Sequence, residues 1–138
     1  MTNFMFTVPA GSHICSMAQL TDITSTSDVH HLIAAFYAKA RYDRMLAHFF
    51  THVDWEHHTP RIEAFWNSIL FGTPGYVGDP MSAHVQVNRR TPMLDEHFKR
   101  WVELFTGAVD ELFAGPKAEE AKQRASSIAG VMAHKMVG

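Results

Sequence analysis

Apolar residues recur every three or four positions over most of the chain, which is the spacing of one buried helix face. The clearest stripe has its inward positions at Trp55, His58, Ile62, Phe65, Trp66, Ile69 and Leu70. Because Pro60 lacks the N–H that a helix interior uses, we expect the regular part of this helix to begin close to Pro60. No segment alternates with the period of two that a strand requires. The pattern predicts an all-α chain.

A first helix is predicted after Ser27 or Asp28, either of which can cap it. Its inward positions are Val29, Leu32, Ile33, Phe36 and Ala40. The segment 41–50 continues or restarts this helix, with Met45, Leu46, Phe49 and Phe50 facing inward. Residues 1–26 are rich in Ser and Thr and show no sustained period, so we expect a flexible extension over 1–26 and one folded domain over 27–138.

Two more helices are predicted in the second half of the chain. Gly72–Pro80 is a loop, because it combines several glycines and prolines. A long helix capped by Asp95 is expected to end at Gly115, and Pro116 is expected to begin the last helix.

Composition narrows the class of protein. The chain has 138 residues and a formal net charge of −2, so we expect neither nucleic acid nor an anionic membrane as a partner. A single cysteine excludes an intrachain disulfide and favours a reducing compartment, which we take to be the cytoplasm. No apolar run approaches the length of a membrane span. We expect a small monomer.

Two histidines stand out by their positions. His58 shares the buried face of the 55–70 stripe, where an unpartnered imidazole costs about 1–3 kcal/mol. His84 lies on a short segment after the glycine-rich loop, one turn past Met81, where a stiffly held side chain can point at one fixed atom. Taken alone, each has a simpler explanation: a core histidine bonded to a carbonyl or water, and an ordinary loop histidine.

Tyr37 and Trp101 each bring a polar atom to an inward helix face, although either alone is explained as a core residue. The combination has a more specific interpretation. The aromatic and aliphatic residues expected around these four polar side chains are Phe50, Phe65, Trp66, Ile69, Phe98 and Phe105. Such an apolar slot would suit a flat iron porphyrin, with one imidazole ligating the iron and hydrogen-bond donors facing a bound gas.

Four motifs follow one another along the chain. They are FY at Phe36–Tyr37, W-x-x-H-x-x-x-I-x-x-FW at 55–66, YVGDPMSAH at 76–84 and F-x-x-W-V-x-LF at 98–105. In this order they resemble the truncated haemoglobins, specifically their third group. The resemblance covers about residues 27 to 132, which is nearly all of the chain outside the extension.

The resemblance implies a globin-like two-over-two helical sandwich that holds haem b. It implies that His84 is the proximal iron ligand and that Tyr37, His58 and Trp101 are the polar residues on the opposite, distal side. His58 could also gate access to the site or bind the iron itself when no gas is present.

The resemblance also assigns the apolar contacts of the haem. Ile62 corresponds to the apolar residue over the iron, and Phe50 to the phenylalanine that wedges the porphyrin. Phe65 and Trp66 correspond to the aromatic pair on the far wall. Arg89 or the arginine after it could pair with a haem propionate, although a solvated loop pair explains these arginines equally well.

The function implied is reversible binding of O2, NO, CO or other small ligands at one iron. Nitric oxide dioxygenase or peroxidase-like activity, and a reductase partner, stay open. One alternative is a non-haem metal or di-iron helical protein that uses the histidines with Glu63. Such sites usually repeat a Glu-x-x-His pair, whereas Glu96 and His97 are adjacent. Another alternative is a cofactor-free interaction module.

Overall fold

The computed structural model describes residues 20–74 and 93–136. Its helices are α1 (Thr26–Ala40), a 3-10 turn (Ala47–Phe50), α2 (Trp55–Phe71), α3 (Asp95–Leu112) and α4 (Pro116–Met136). Within the two described ranges there is no strand, which confirms the all-α prediction. None of the helices there combines the length and the apolar composition needed to cross a membrane.

The helices form two layers, with α1 and α2 in one and α3 and α4 in the other. Contacts of α1 with α3 and of α2 with α4 join the layers. All five predicted inward positions of α1 are buried between them. Helix α4 contributes the buried residues Ala118, Ala121, Ala125, Ala129 and Met132. The predicted two-over-two sandwich is therefore present, and the small side chains of α4 let its backbone approach α3 closely.

Helix α1 begins earlier than predicted. Its N-cap is Ser25, not Ser27 or Asp28, and the Ser25 hydroxyl accepts a hydrogen bond from the Asp28 N–H at 3.3 Å. The Asp28 carboxylate reaches back and accepts from the Thr24 N–H at 2.8 Å. This pair of hydrogen bonds satisfies two backbone donors at the helix start, which is why the cap lies three residues before Asp28.

Helix α2 also begins earlier than predicted, at Trp55, so that Pro60 lies inside it rather than at its start. The Asp54 carbonyl accepts from the His58 N–H at 2.8 Å and closes the first turn. Pro60 and Glu56 are both exposed. The carbonyl of Glu56, which a proline four residues later cannot bond, can therefore be hydrated by water, and the helix tolerates the proline.

Helix α2 ends where the glycine-rich loop was predicted to begin. Gly72 has a left-handed φ of 66°, and its N–H donates to the Ser68 carbonyl at 3.0 Å. A glycine adopts this backbone conformation without the steric cost of a Cβ atom. The loop from residue 75 to Pro80, and the short segment that carries His84, lie outside the described residues.

The ends of α3 differ from the prediction. Asp95 is the first helical residue rather than the cap, and Leu94 occupies the cap position. The backbone N–H of Leu94 donates to Nδ1 of His97 at 2.8 Å, so a histidine of the first turn satisfies one backbone donor at the helix start. The helix ends at Leu112 and not at Gly115, because the next residue leaves the helical conformation to bury its phenyl ring.

The stretch before α1 packs on the helices. Ile23 is 1% exposed, and the Asp22 carboxylate accepts hydrogen bonds from the N–H groups of Lys117 at 2.9 Å and Ala118 at 2.8 Å. Asp22 thus caps α4, which begins at Pro116 as predicted. Residues 1–19 lie outside the described residues, and the division of the chain at residue 26 stays a prediction.

Replacing Asp22 with alanine should destabilise the fold by about 1–2 kcal/mol and lower Tm by about 3–8 °C. Partial burial acts to raise the pKa of Asp22, but hydrogen bonds from the N–H groups of Lys117, Ala118 and Ile23 outweigh it and hold that pKa below its usual value. A lowered pKa stabilises the fold above about pH 4 and loses this effect as the pH falls through the folded-state pKa.

Urea denaturation of the Asp22→Ala variant and of the parent protein, repeated from neutral to acidic pH, measures this difference. We expect the full difference at neutral pH and a smaller one below about pH 4. Asp110→Ala is the matched control, because it removes a surface carboxylate that only pairs with Lys122, and it should cost less than about 1 kcal/mol. Equal losses for the two variants would contradict the capping role.

Candidate functional site

A cavity of about 220 Å³ lies between the two helical layers. A single water needs about 10–15 Å³ on the same measure, so the cavity is far larger than a diatomic gas requires. Seven of the residues that the resemblance assigns to the site line it: Tyr37, Phe50, His58, Ile62, Phe65, Trp66 and Trp101. Phe98 and Phe105 of the expected apolar slot line it too, whereas Ile69 is not among the described lining residues. The structure therefore brings together side chains from α1, the 3-10 turn, α2 and α3.

The helical period explains how α2 supplies four of these seven residues. His58, Ile62 and Phe65 follow one another at steps of four and three residues, which places them on one face. Trp66, next to Phe65, is 3% exposed and packs deeper in the core. The face that the sequence pattern identified as inward is thus the face that borders the cavity.

Stacked aromatic rings fix two of the site residues. The Phe105 ring lies 4.7 Å from the Trp66 ring at an interplanar angle of 19°, and 5.6 Å from the Trp101 ring at 20°. Phe36 meets Phe105 edge-on at 5.6 Å. Because Phe105 and Phe36 are almost fully buried, the two tryptophans are held in defined orientations. Trp101 thereby adds an indole N–H donor to a wall that is otherwise mostly apolar.

Tyr37 and His58 contact each other in the lining of the cavity. The Tyr37 hydroxyl lies 3.0 Å from Nε2 of His58, a hydrogen-bond distance. This contact gives the inward-facing imidazole of His58 a polar partner, a phenol on α1. Burial raises the pKa of Tyr37, so the phenol keeps its proton at neutral pH.

The tautomer of His58 decides which group donates. With the proton on Nδ1, the Tyr37 O–H donates to Nε2 of His58. With the proton on Nε2, that N–H donates to the phenol oxygen and leaves the Tyr37 O–H to point at a ligand in the cavity. In the second arrangement each bond polarises the next, so the Tyr37 O–H becomes the stronger donor.

An ion pair positions the 3-10 turn and its phenylalanines at the cavity. Asp43 accepts hydrogen bonds from Nε and Nη2 of Arg100 at 2.9 and 2.7 Å, and it also accepts from the Met45 N–H at 3.1 Å. The Arg100 guanidinium is the main reason that the pKa of Asp43 lies below its usual value. Because Arg100 directly precedes Trp101, this pair ties the connection that carries Phe50 to the middle of the site.

His97 is a cavity residue that the sequence analysis did not assign to the site. Its Nδ1 accepts the hydrogen bond from Leu94, which places its proton on Nε2 when the ring is neutral. The ring lies 5.0 Å from that of Phe49, another lining residue. The sequence carried a signal for it, since His97 lies one helical turn before Trp101.

Glu63 takes no part in the cavity. Its carboxylate lies 2.8 Å from Nδ1 of His30, and this pair links α2 to α1 away from the lining residues. Within the described residues, no group of three His, Cys, Asp or Glu side chains is placed to hold a metal ion. The non-haem site built on Glu63 therefore has no support from the part of the chain that the structure describes.

Two predicted site residues cannot be placed. His84, the expected iron ligand, and Arg89, the expected propionate partner, fall in the range 75–92 outside the described residues. Both assignments stay predictions.

Comparison with known proteins agrees with the geometry. No protein-family model matches the chain. The group 3 truncated hemoglobin ctb of Campylobacter jejuni is 29% identical over 104 residues, an alignment that covers 71% of this chain and 80% of the relative. The crystal structure of a group III truncated hemoglobin from Campylobacter jejuni superposes with a TM-score of 0.76 at 25% identity, covering 86% of this chain and 95% of the other.

Proposed function

This chain belongs to the truncated globins of the third group, and on that premise we propose that it holds haem b between its two helical layers and takes up a diatomic gas such as O2, NO or CO. The observation that carries the proposal is the Tyr37–His58 pair, placed at the wall of a mostly apolar cavity that is much larger than a core void. A core without a ligand has no comparable reason to hold these polar groups.

The described walls of the cavity fit a flat, mostly apolar group that needs hydrogen-bond donors on one side. Phe50, Ile62, Phe65 and Trp66 would contact the porphyrin, and His84 would ligate its metal. Arg89 would pair with a propionate. When bound, haem supplies an iron atom at which a diatomic gas can coordinate.

The polar side chains then determine how strongly a gas is held. Tyr37, which stays neutral, and Trp101 can each donate a hydrogen bond to a ligand with partial negative charge. One such bond stabilises the ligand by about 1–2 kcal/mol, and each 1.4 kcal/mol is tenfold in affinity. His58 orients the Tyr37 hydroxyl and stands at the edge of the cavity, where it can also control entry.

Slow release of O2 suits a reaction or a sensing role better than bulk transport. The same donors would serve nitric oxide dioxygenase or peroxidase-like chemistry with electrons from a reductase. An anaerobic gas titration followed by a nitric oxide turnover assay with an added reductant distinguishes these roles. Turnover that exceeds that of free haem supports the enzymatic role.

Haem uptake is the direct test of the proposal. Purified protein titrated with haem should develop an intense Soret band that saturates at one haem per chain, and added CO should shift that band. Metal analysis of the protein before reconstitution tests the non-haem alternative in the same preparation. A chain that takes up no haem, or that holds iron without a Soret band, would contradict the proposal.

A further inference from the structure

Four residues at the junction of α1 and α2 interlock. Tyr37 and Arg41 lie one turn apart at the end of α1, where the Arg41 N–H donates to the Tyr37 carbonyl at 3.1 Å. Trp55 and His58 lie one turn apart at the start of α2. The inner members, Tyr37 and His58, share the 3.0 Å hydrogen bond, and the outer members, Arg41 and Trp55, face each other behind them.

Trp55 is the centre of this group, although it is not one of the described residues that line the cavity. Its ring lies 5.0 Å from that of Tyr37 at 68° and 5.6 Å from that of His58 at 87°. The guanidinium carbon of Arg41 lies over the same ring at 4.6 Å from the centroid, within cation–π range. Trp55 therefore touches both members of the polar pair and is itself held from outside.

Arg41 is exposed and contacts a second ring, that of Tyr42, at 5.8 Å. A guanidinium is planar and weakly hydrated, so it stacks on aromatic faces more readily than an ammonium does. The Arg41–Trp55 contact is thus a specific tie on the outside of the protein, one residue layer from the cavity.

The start of α2 needs such a tie. His58 is in the first turn, where backbone donors lack intrahelical partners and helices fray most easily. The Asp54 carboxylate, at the cap position, bonds Nδ1 of His57 at 2.6 Å and makes no regular side-chain cap hydrogen bond. Pro60 removes one further backbone hydrogen bond just beyond. The contacts with α1 therefore help to hold His58 in place.

We propose that the Arg41–Trp55 stack is a latch that keeps His58 bonded to Tyr37 and so sets how fast a ligand enters the cavity. Trp55 acts as a positioning residue: it backs the imidazole, and His58 gains room to leave Tyr37 only when the Trp55 ring moves. Arg41 restrains that movement from the solvent side. This inference rests on the proposed function, because ligand entry is its measured consequence.

The test uses the haem-loaded full-length protein and carbon monoxide as the probe. Infrared bands of the C–O stretch report whether the Tyr37–His58 pair faces the probe, and flash photolysis gives the association rate. The open band is the one given by molecules in which the Tyr37–His58 pair does not face the probe. The Arg41→Gln variant should raise the association rate and the share of this open band about two- to fivefold, the ratio that corresponds to one exposed cation–π contact. Trp55→Leu should raise both further, because it also removes the ring behind His58.

Two variants separate the latch from a general effect of charge or folding. Arg41→Lys keeps a cation near the ring but loses the planar stack, so both readouts should fall between those of the parent and those of Arg41→Gln. Arg44→Gln removes the same charge from an exposed arginine three residues away and should leave both readouts unchanged. Thermal unfolding of each variant identifies any global loss of stability.

A failure of the latch can be distinguished from a failure of haem binding. If the parent protein forms no Soret band, the proposed function and this inference fail together. If haem binds and the Arg41→Gln and Arg44→Gln variants behave alike, the latch fails while the proposed function stands. The latch also fails if Trp55→Leu leaves the infrared bands unchanged in a folded, haem-loaded protein.

Discussion

Replacing His84, the proposed iron ligand, with glycine should weaken haem binding and change the absorption spectrum, and external imidazole should then restore the parent spectrum. Even a residue that only supports a metal ligand changes metal affinity by about 10–100-fold, so loss of the ligand itself should weaken haem binding by at least about 100-fold. Glycine leaves a space of imidazole size, and the free imidazole that fills it replaces the missing nitrogen donor.

The matched control is His52→Gly, since His52 is an exposed histidine outside the cavity wall. Haem affinity and the spectrum of that variant should equal those of the parent. Haem titration with and without imidazole measures both variants. If His84→Gly kept the parent spectrum without imidazole, another residue would be the ligand and the role that the resemblance implies for His84 would be wrong.

Replacing Tyr37 with phenylalanine should speed the release of O2 by about 5–30-fold, which corresponds to the loss of one hydrogen bond worth about 1–2 kcal/mol. Phenylalanine keeps the ring that packs against Trp55 and Phe50, so the fold should persist. Release of CO, a weaker hydrogen-bond acceptor, should change less. Stopped-flow dissociation rates for the two gases measure the contrast.

Tyr42→Phe is the control for this variant, because Tyr42 is exposed and lies one turn beyond Tyr37. Burial raises the pKa of Tyr37, so its O–H persists and the effect of Tyr37→Phe should be constant from about pH 6 to about pH 9, below the ordinary tyrosine pKa of about 10. Equal O2 release rates in the parent and the Tyr37→Phe variant would remove Tyr37 from the list of donors.

The inward faces of the helices could be read from the sequence because amphipathic period is a local property. Every predicted inward position of α1 is buried, and His58, Ile62, Phe65 and Trp66 of the α2 stripe border the cavity. The seven described residues that the resemblance assigned to the site all line the cavity. Those on α2 share one helix face, and a face needs only the 3.6-residue repeat to be recognised.

Helix boundaries were less predictable because several residues compete for each cap. Ser25 and not Ser27 caps α1, and Leu94, whose N–H donates to His97, occupies the cap position expected of Asp95 at α3. Pro60 lies inside α2, since its missing hydrogen bond falls on the exposed side, where water can serve the carbonyl. Each outcome depends on which side chain reaches the free donors, and that depends on the neighbouring elements.

The order of residues along this chain suffices to establish its helical class, its buried faces and the candidate polar groups of its cavity. Only the tertiary structure shows that the Tyr37 hydroxyl meets His58, that Arg41 covers Trp55, and that the Asp22 carboxylate caps a helix beginning at Pro116. The physical reason is the separation along the sequence over which each effect acts. Helical period acts within a few residues, whereas these contacts join segments that meet only after the two layers have packed.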